Sequence, residues 1–320
     1  MRKSLVTISA AAIALAAGMS AMAKGTLIPI VPVPNSASTN VFGINDSDII
    51  TGSWLDAGGV EHGYVGPLSG TKYKTFDDPK SPAPGTEPRA INDHGTITGF
   101  SNSQNGSTSG DIPFERDSNG NITEITRNGN LLNYLAQGIN NKNNEFAGNY
   151  INSSLAVVGY LGENGKFKTT FKITGLKNNG YAGRGVDSAG DIVGWYGDST
   201  GIQHGLLVSG GKAQKLEPSE TNLASSVLEG INDKGTITGQ WADTAGAIHA
   251  FTYSLTSKKF TNINVPGSAS FVQAWGVSDQ GLVAVGSDAG YYIYCPSGVS
   301  CPAGAHGSYK PAVKPKPQLP

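Results

Sequence analysis

One tetrad, Gly or Ala followed by Ile or Val and then Asn-Asp or a close relative, recurs six times along this chain. The copies begin at Gly43, Ala90, Gly138, Gly185, Gly230 and Gly276, at steps of 47, 48, 47, 45 and 46 residues. Self-similarity at such a fixed period means one supersecondary unit stacked repeatedly, each copy burying its apolar face on the next. The architecture is therefore set by what one unit folds into.

The fifth unit is the clearest. It runs from Gly230-Ile-Asn-Asp through Gly239, Asp243 to Gly246, His249-Ala250-Phe251 and Lys259-Phe260 to Val265-Pro266-Gly267. Asn-Asp-x-Gly, at 92–95 and 232–235, is a tight turn in which an Asx side chain caps the backbone and Gly takes positive φ. A second turn, Asp-x-x-Gly, recurs at 56–59, 198–201 and 243–246. Between the turns lie short runs with β-branched residues, such as Ile97-Thr98, Ile192-Val193 and Ile237-Thr238, which favour strands. Each unit thus reads as four strands, the period of a propeller blade rather than of a leucine-rich or ankyrin repeat. Coils of a parallel β-helix are much shorter, and a sandwich repeat needs more strands. With 44 glycines, 15% charged residues and no long helix-forming run after residue 23, helical solenoids are excluded.

The expected fold is all-β, a six-bladed β-propeller of four-stranded blades spanning residues 24–300. The sixth unit lacks a fourth strand before the cysteines. Thr26-Leu-Ile-Pro-Ile-Val-Pro-Val-Pro34 and the Asn-Ser-Ala-Ser after it resemble Thr261 to Pro266 and the Gly-Ser-Ala-Ser after that. Residues 26–33 are therefore expected to close the ring as the outer strand of the last blade, where proline is tolerated at an edge.

The ends of the chain point to export. Arg2 and Lys3, an apolar stretch from Leu5 to Ala17 and Ala21-Met22-Ala23 read as a cleaved signal peptide over 1–23. The segment barely approaches the roughly 20 apolar residues that a membrane span requires, and no cysteine follows the cleavage site for lipid attachment. Residues 301–320 read as a flexible Pro/Lys-rich tail. Without Arg2 and Lys3 the chain has 21 basic against 24 acidic residues. Scattered charges of that balance exclude a polyanion-binding field, so no nucleic-acid partner is expected. Cys295 and Cys301, the only two cysteines, are expected to pair in the oxidising conditions an exported chain meets.

Gly230-Ile-Asn-Asp, Gly239, His249-Ala250-Phe251 and Val265-Pro266-Gly267 resemble the HAF repeat of probable extracellular bacterial proteins. His62-Gly63-Tyr64 and His204-Gly205-Leu206 are relaxed copies, and the resemblance extends over about residues 40–295. It implies export and repeat architecture, and no particular reaction.

Most repeated polar residues have structural readings. His62, His204 and His249 fall on separate blades and form no ligand cluster. Asp46, Asp93, Asp187 and Asp233 sit in turns, where an Asx cap accounts for them; there is no Asp-x-Asp-x-Asp-Gly calcium loop. The aromatics Trp54, Tyr150, Tyr196 and Trp241 read as packing between blades. Neither a metal nor a cofactor is expected, and no nucleophile motif or phosphate loop is present.

The informative position is the one that does not repeat. Just before the six tetrads stand Phe42, Arg89, Gln137, Arg184, Glu229 and Trp275. On the innermost strands they ring a central channel, and such a mixture suits a sugar or peptide ligand. The expected function is that of a secreted or periplasmic, monomeric binding or adhesion module for an extracellular glycan or protein. A propeller-type glycan hydrolase or lyase is the alternative, because its carboxylates are invisible to short motifs. A structural envelope component with no small ligand is a third possibility.

Overall fold

Strand follows strand along the whole chain in the computed structural model, which describes residues 25–81, 84–102, 111–127, 130–131 and 134–302. The expected signal peptide, 1–23, and the expected tail beyond Pro302 lie outside the described residues. Among the described residues there is no helix, and none therefore long and apolar enough to cross a membrane. The strands form six antiparallel blades around a ring, a β-propeller. Blade five shows the plan: from the axis outward, Leu223–Ile231, Thr236–Asp243, Ile248–Ser254 and Lys259–Ile263. The inner strands of blades two, three, four and six are Thr86–Ile91, Tyr134–Ile139, Gly180–Val186 and Val272–Val277. In blade one the inner strand is split into Ser38–Thr39 and Gly43–Ile44.

The turn residues act as their chemistry requires. Asn92 Oδ1 accepts the N–H groups of His94 and Thr96, Asn232 Oδ1 those of Lys234 and Thr236, and Gly95 and Gly235 take φ of 77° and 75°. In the second turn Asp56, Asp198 and Asp243 each cap two N–H groups with Oδ1. These turns fix the hairpin register, which decides which face of every strand is buried.

Apolar clusters fill the seams between blades. Val193 and Leu207 of blade four pack with Leu228, Ile237 and Trp241 of blade five. Ala250 and Ile263 of blade five pack with Ala274, Val283 and Val285 of blade six. Stability thus resides in contacts between neighbouring units, as a stacked repeat demands.

The chain's N-terminal strand closes the ring. Gly25–Pro29 runs antiparallel to Gly290–Pro296, from Gly25 opposite Pro296 to Pro29 opposite Tyr292, and Ile30 N–H donates to Tyr291 O at 3.2 Å. The strand is shorter than the expected 26–33. Pro32 and Pro34 have no N–H to give, and the N–H of Val33 turns inward to Thr39 Oγ1 at 3.0 Å. Ile28, Ile30 and Val33 enter a seam cluster with Ile44 and Ile50 of blade one and Leu282 and Ile293 of blade six. The inner edges meet as well: Gly276 N–H donates to Phe42 O at 2.9 Å. Beyond the last strand Cys295 and Cys301 form a disulfide.

Candidate functional site

The variable position before each tetrad is a defect in the β-ladder. Pairing of inner to second strand slips between Pro88 and Ala90, Ala136 and Ile139, Gly183 and Gly185, Leu228 and Gly230, and Ala274 and Val277. Arg89, Gln137, Arg184, Glu229 and Trp275 therefore fall in β-bulges, and Phe42 falls in the break of the split strand. A bulge frees a residue from the ladder and re-aims its side chain. Close approach of the blades explains the glycine that follows. A Cβ on Gly138, Gly185 or Gly276 would lie 2.7, 3.2 or 3.1 Å from the Cα of the next blade's tetrad glycine.

Five of these side chains converge. Arg89, Gln137, Arg184, Glu229 and Trp275 line one cavity of ≈ 60 Å³ on the axis. Since about 10–15 Å³ suffices for a water, it holds a few waters or one polar group of a larger ligand. Phe42 lies behind it, 1% exposed, edge-on to Trp275 at 5.0 Å and beneath the Arg89 guanidinium at 5.0 Å.

Charges in the cavity are partly matched. Arg89 Nε lies 3.0 Å from Glu87 Oε1, whereas Arg184 Nε and Glu229 Oε2 are 3.8 Å apart, beyond a hydrogen bond. Burial lowers the Arg184 pKa, with Glu229 opposing the shift. Gln137 Nε2 is buried without a hydrogen-bond partner among the described residues. Two further acids stand nearby. Burial and then Glu87 push the Glu61 carboxyl up to about 7, and the same two causes raise Asp111. Glu61 carries no mark in the sequence, because it lies on a third strand and meets Glu87 only across a blade seam.

The second residues of the tetrads close the channel below the cavity. Ile44, Ile91, Ile139, Val186, Ile231 and Val277 line both this cavity and a smaller one, ≈ 30 Å³, toward the turns. They form an apolar collar between two polar compartments. At the turn end, one blade's backbone is held by the next blade's side chain: Asp46 N–H donates to Asp93 Oδ1 at 2.8 Å, Asp93 N–H to Asn141 Oδ1 at 2.9 Å, and Asp233 N–H to Asp279 Oδ1 at 2.7 Å. Ser188 N–H reaches Asp233 Oδ1 at 2.7 Å, and Gln280 N–H reaches Asp46 Oδ1 at 3.1 Å across the closing seam.

The fold is similar to that of TolB from Acinetobacter baumannii, with a TM-score of 0.52 and 15% identity over 79% of this chain. This chain spans 65% of the length of that TolB. A putative TolB from Agrobacterium tumefaciens (TM-score 0.49, 13% identity, 70% of this chain and 79% of that one) is also similar. So is a lectin from Aleuria aurantia solved with Fucα1-6GlcNAc (TM-score 0.48, 12% identity, 85% and 100%). At these identities the likeness is one of fold. No protein-family model matches the chain, and no curated protein matches it.

The girdle of hydrogen bonds between blades at the turn end corrects the reading of the turn aspartates. Asn45, Asn92 and Asn232 cap the turns, as Asp187 does in its own blade, while Asp46, Asp93 and Asp233 lie one residue later. The carboxylates of Asp93 and Asp233 instead accept from the preceding blade, and that of Asp46 from Gln280. The histidines lie apart on blades one, four and five, each bound within its own blade. His62 meets Asp77 at 2.9 Å, His204 meets Glu217 at 3.0 Å and Asp198 at 3.3 Å, and His249 meets Asp243 at 3.1 Å. Each faces the aromatic opposite it in register: Trp54 at 4.5 Å, Tyr196 at 5.3 Å and Trp241 at 4.2 Å between centroids. The aromatics therefore stack within blades as well as packing at seams, and Tyr150 packs on Tyr160 of its own blade.

Proposed function

We propose that this protein is a secreted or periplasmic, monomeric binding module built on HAF-type repeats. Its channel takes a polar group from an extracellular glycan or protein. The observation that carries the reading is the convergence of five bulge residues of unlike chemistry onto one cavity. A scaffold alone does not require it, because the bulge accommodates Gln, Trp, Arg and Glu equally well. Arg184 Nε and Gln137 Nε2, on side chains more than nine-tenths buried, have no hydrogen-bond partner among the described residues. Leaving such groups unmatched is costly unless water or a ligand meets them. At ≈ 60 Å³ the cavity admits a terminal group while the rest of the ligand stays at the mouth. The disulfide supports export.

Glycan and peptide arrays probed with the mature protein, its Arg184→Ala and its Trp275→Ala variants test this. Binding is expected and is expected to fall at least tenfold in either variant. Undiminished binding in both would refute a site in the channel. The alternative, a glycan hydrolase or lyase, draws support from Glu61 and Glu87, neighbouring acids of which Glu61 is pushed to about 7. A carboxyl poised near neutral pH is what general acid-base catalysis uses. Release of product from a bound glycan, abolished by Glu61→Gln, would favour that reading.

A further inference from the structure

Beyond the collar, at the turn end of the channel, three adjacent blades crowd their acids together. Asp46, Asp93 and Asp279 bring carboxylate oxygens within 4.8 Å of one another. None of the three forms an ion pair among the described residues. The girdle itself does not need the charge. In blade three the neutral Asn141 accepts the same backbone N–H at the same place, and blade four carries Ser188 there. Three carboxylates where an amide suffices leave the charge to be explained.

A second observation lies in the same seam. At the turn-capping position blades one, two, three and five carry Asn, whose amide spans to a carbonyl of the next blade. Asn45 Nδ2 donates to Asn92 O at 3.0 Å, and Asn232 Nδ2 to Ser278 O at 2.7 Å. Blade six has Ser278 instead, next to Asp279. Serine has no amide to reach the next blade as the asparagines do. Ser278 is 4% exposed, and its Oγ has no hydrogen-bond partner among the described residues. It lines the turn-end cavity together with Asp93 and Asp279. A buried hydroxyl oxygen in want of a partner, beside three carboxylates in want of positive charge, calls for a cation.

We propose that Asp46, Asp93 and Asp279, with Ser278 Oγ, hold a divalent cation of the calcium class across the seam where the ring closes. All four donors are hard oxygens. Calcium binds such ligands at about 2.3–2.6 Å in flexible, irregular geometry, and carboxylate oxygens within 4.8 Å of one another can reach one such ion. Magnesium demands near-octahedral geometry and sheds its waters reluctantly, so a site assembled from side chains of three blades suits it less well. The backbone N–H groups of Gln280, Asp46 and Asp233 fix one oxygen of Asp46, Asp93 and Asp279 respectively and orient the other. Ligands drawn from three blades leave no short calcium-loop motif in the sequence. Bound there, the ion ties blades six, one and two together at the seam that the N-terminal strand also bridges.

The test uses the full mature chain, stripped with chelator and titrated with CaCl2 by calorimetry and thermal melting, with MgCl2 as comparison. Saturable calcium binding is expected, together with a Tm that climbs with each tenfold rise in calcium and responds less to magnesium. Asp46→Asn and Asp279→Asn keep the hydrogen-bond acceptor, as Asn141 does, and are expected to fold. They should melt no lower than the stripped parent and lose the calcium response. Ser278→Ala should weaken calcium binding several-fold. Absence of binding heat and of any Tm change at 10 mM calcium overturns the site, as does an unaltered response in Asp46→Asn.

Discussion

Truncating Ile30 tests whether the N-terminal strand closes the ring. Ile30 is 1% exposed and packs in the seam cluster with residues of blades one and six. Replacement by Ala removes buried carbons from a site contacted on both sides, where partial collapse recovers little. Such changes cost about 2–5 kcal/mol, against a total stability of about 5–15 kcal/mol for a typical domain. At about 2–4 °C per kcal/mol for a domain approaching this size, Tm is expected to fall by roughly 4–20 °C. Ile202→Ala supplies the control: Ile202 is 45% exposed in a blade-four turn, and its loss should stay within about 0.5 kcal/mol. Denaturant melts followed by near-UV circular dichroism measure both. Deleting residues 24–34 goes further, because it strips Gly290–Pro296 of its outer partner and exposes an unpaired edge. That variant is expected to be unfolded or aggregated at 37 °C. A truncated protein that melts with the parent, or an Ile30→Ala loss below 1 kcal/mol, would refute closure by this strand.

Two further perturbations read out the site and the last blade. Glu61 binds its proton more tightly in the folded protein than in the unfolded chain, so its contribution is favourable while it is protonated and is lost as pH rises from about 4.5 toward about 7. Glu61→Gln should therefore match the parent near pH 4.5 and exceed it above pH 7, by up to about 3 kcal/mol; chemical melts that show no pH-dependent difference would contradict the burial of this acid. Cysteines 295 and 301 are 6 apart in sequence, and closing so small a loop restricts the unfolded chain by about 2 kcal/mol. Paired Cys295→Ser and Cys301→Ser changes should lower stability by that amount, and reductant should lower the parent equally while leaving the double variant unchanged.

The propeller was legible because its signals are local. Asn-Asp-x-Gly and Asp-x-x-Gly are turns whose geometry the letters dictate, and copying a turn at a fixed period copies the hairpin. Even the closing strand was visible, because 26–34 repeats the chemistry of 261–266 at the opposite end of the chain. Its endpoint was not, since Val33 N–H is drawn off by Thr39, a choice set by packing. The variable position of the repeat was equally plain. What the sequence hid was the bulge: pairing slips where an inner strand bends, and one residue's identity carries no mark of the register of its neighbour. The girdle was hidden for a different reason. Turn-forming Asp and girdle-forming Asp are the same letter, and only the ring shows that Asp93 accepts from Asp46.

The two compartments of the channel follow from one short segment used twice over. Within five residues blades two to five each offer a bulge side chain above the collar, a β-branched residue in it and an Asx turn below, while blade one departs at Phe42 and blade six at Ser278. Sixfold repetition turns those into a polar cavity, an apolar plug and an acidic mouth. Symmetry is kept in the plug, where any departure would break the packing. It is relaxed in the cavity, where Arg, Gln, Arg, Glu and Trp follow one another, and at the mouth, where Asn141, Ser188 and Ser278 interrupt Asp and Asn. A substitution in the collar, such as Val186→Ala, should therefore register as lost stability, since Val186 is 1% exposed. A substitution at Arg184 should register in binding. Since Arg184 and Val186 stand two residues apart on the same inner strand, the pair separates the two roles within a single blade.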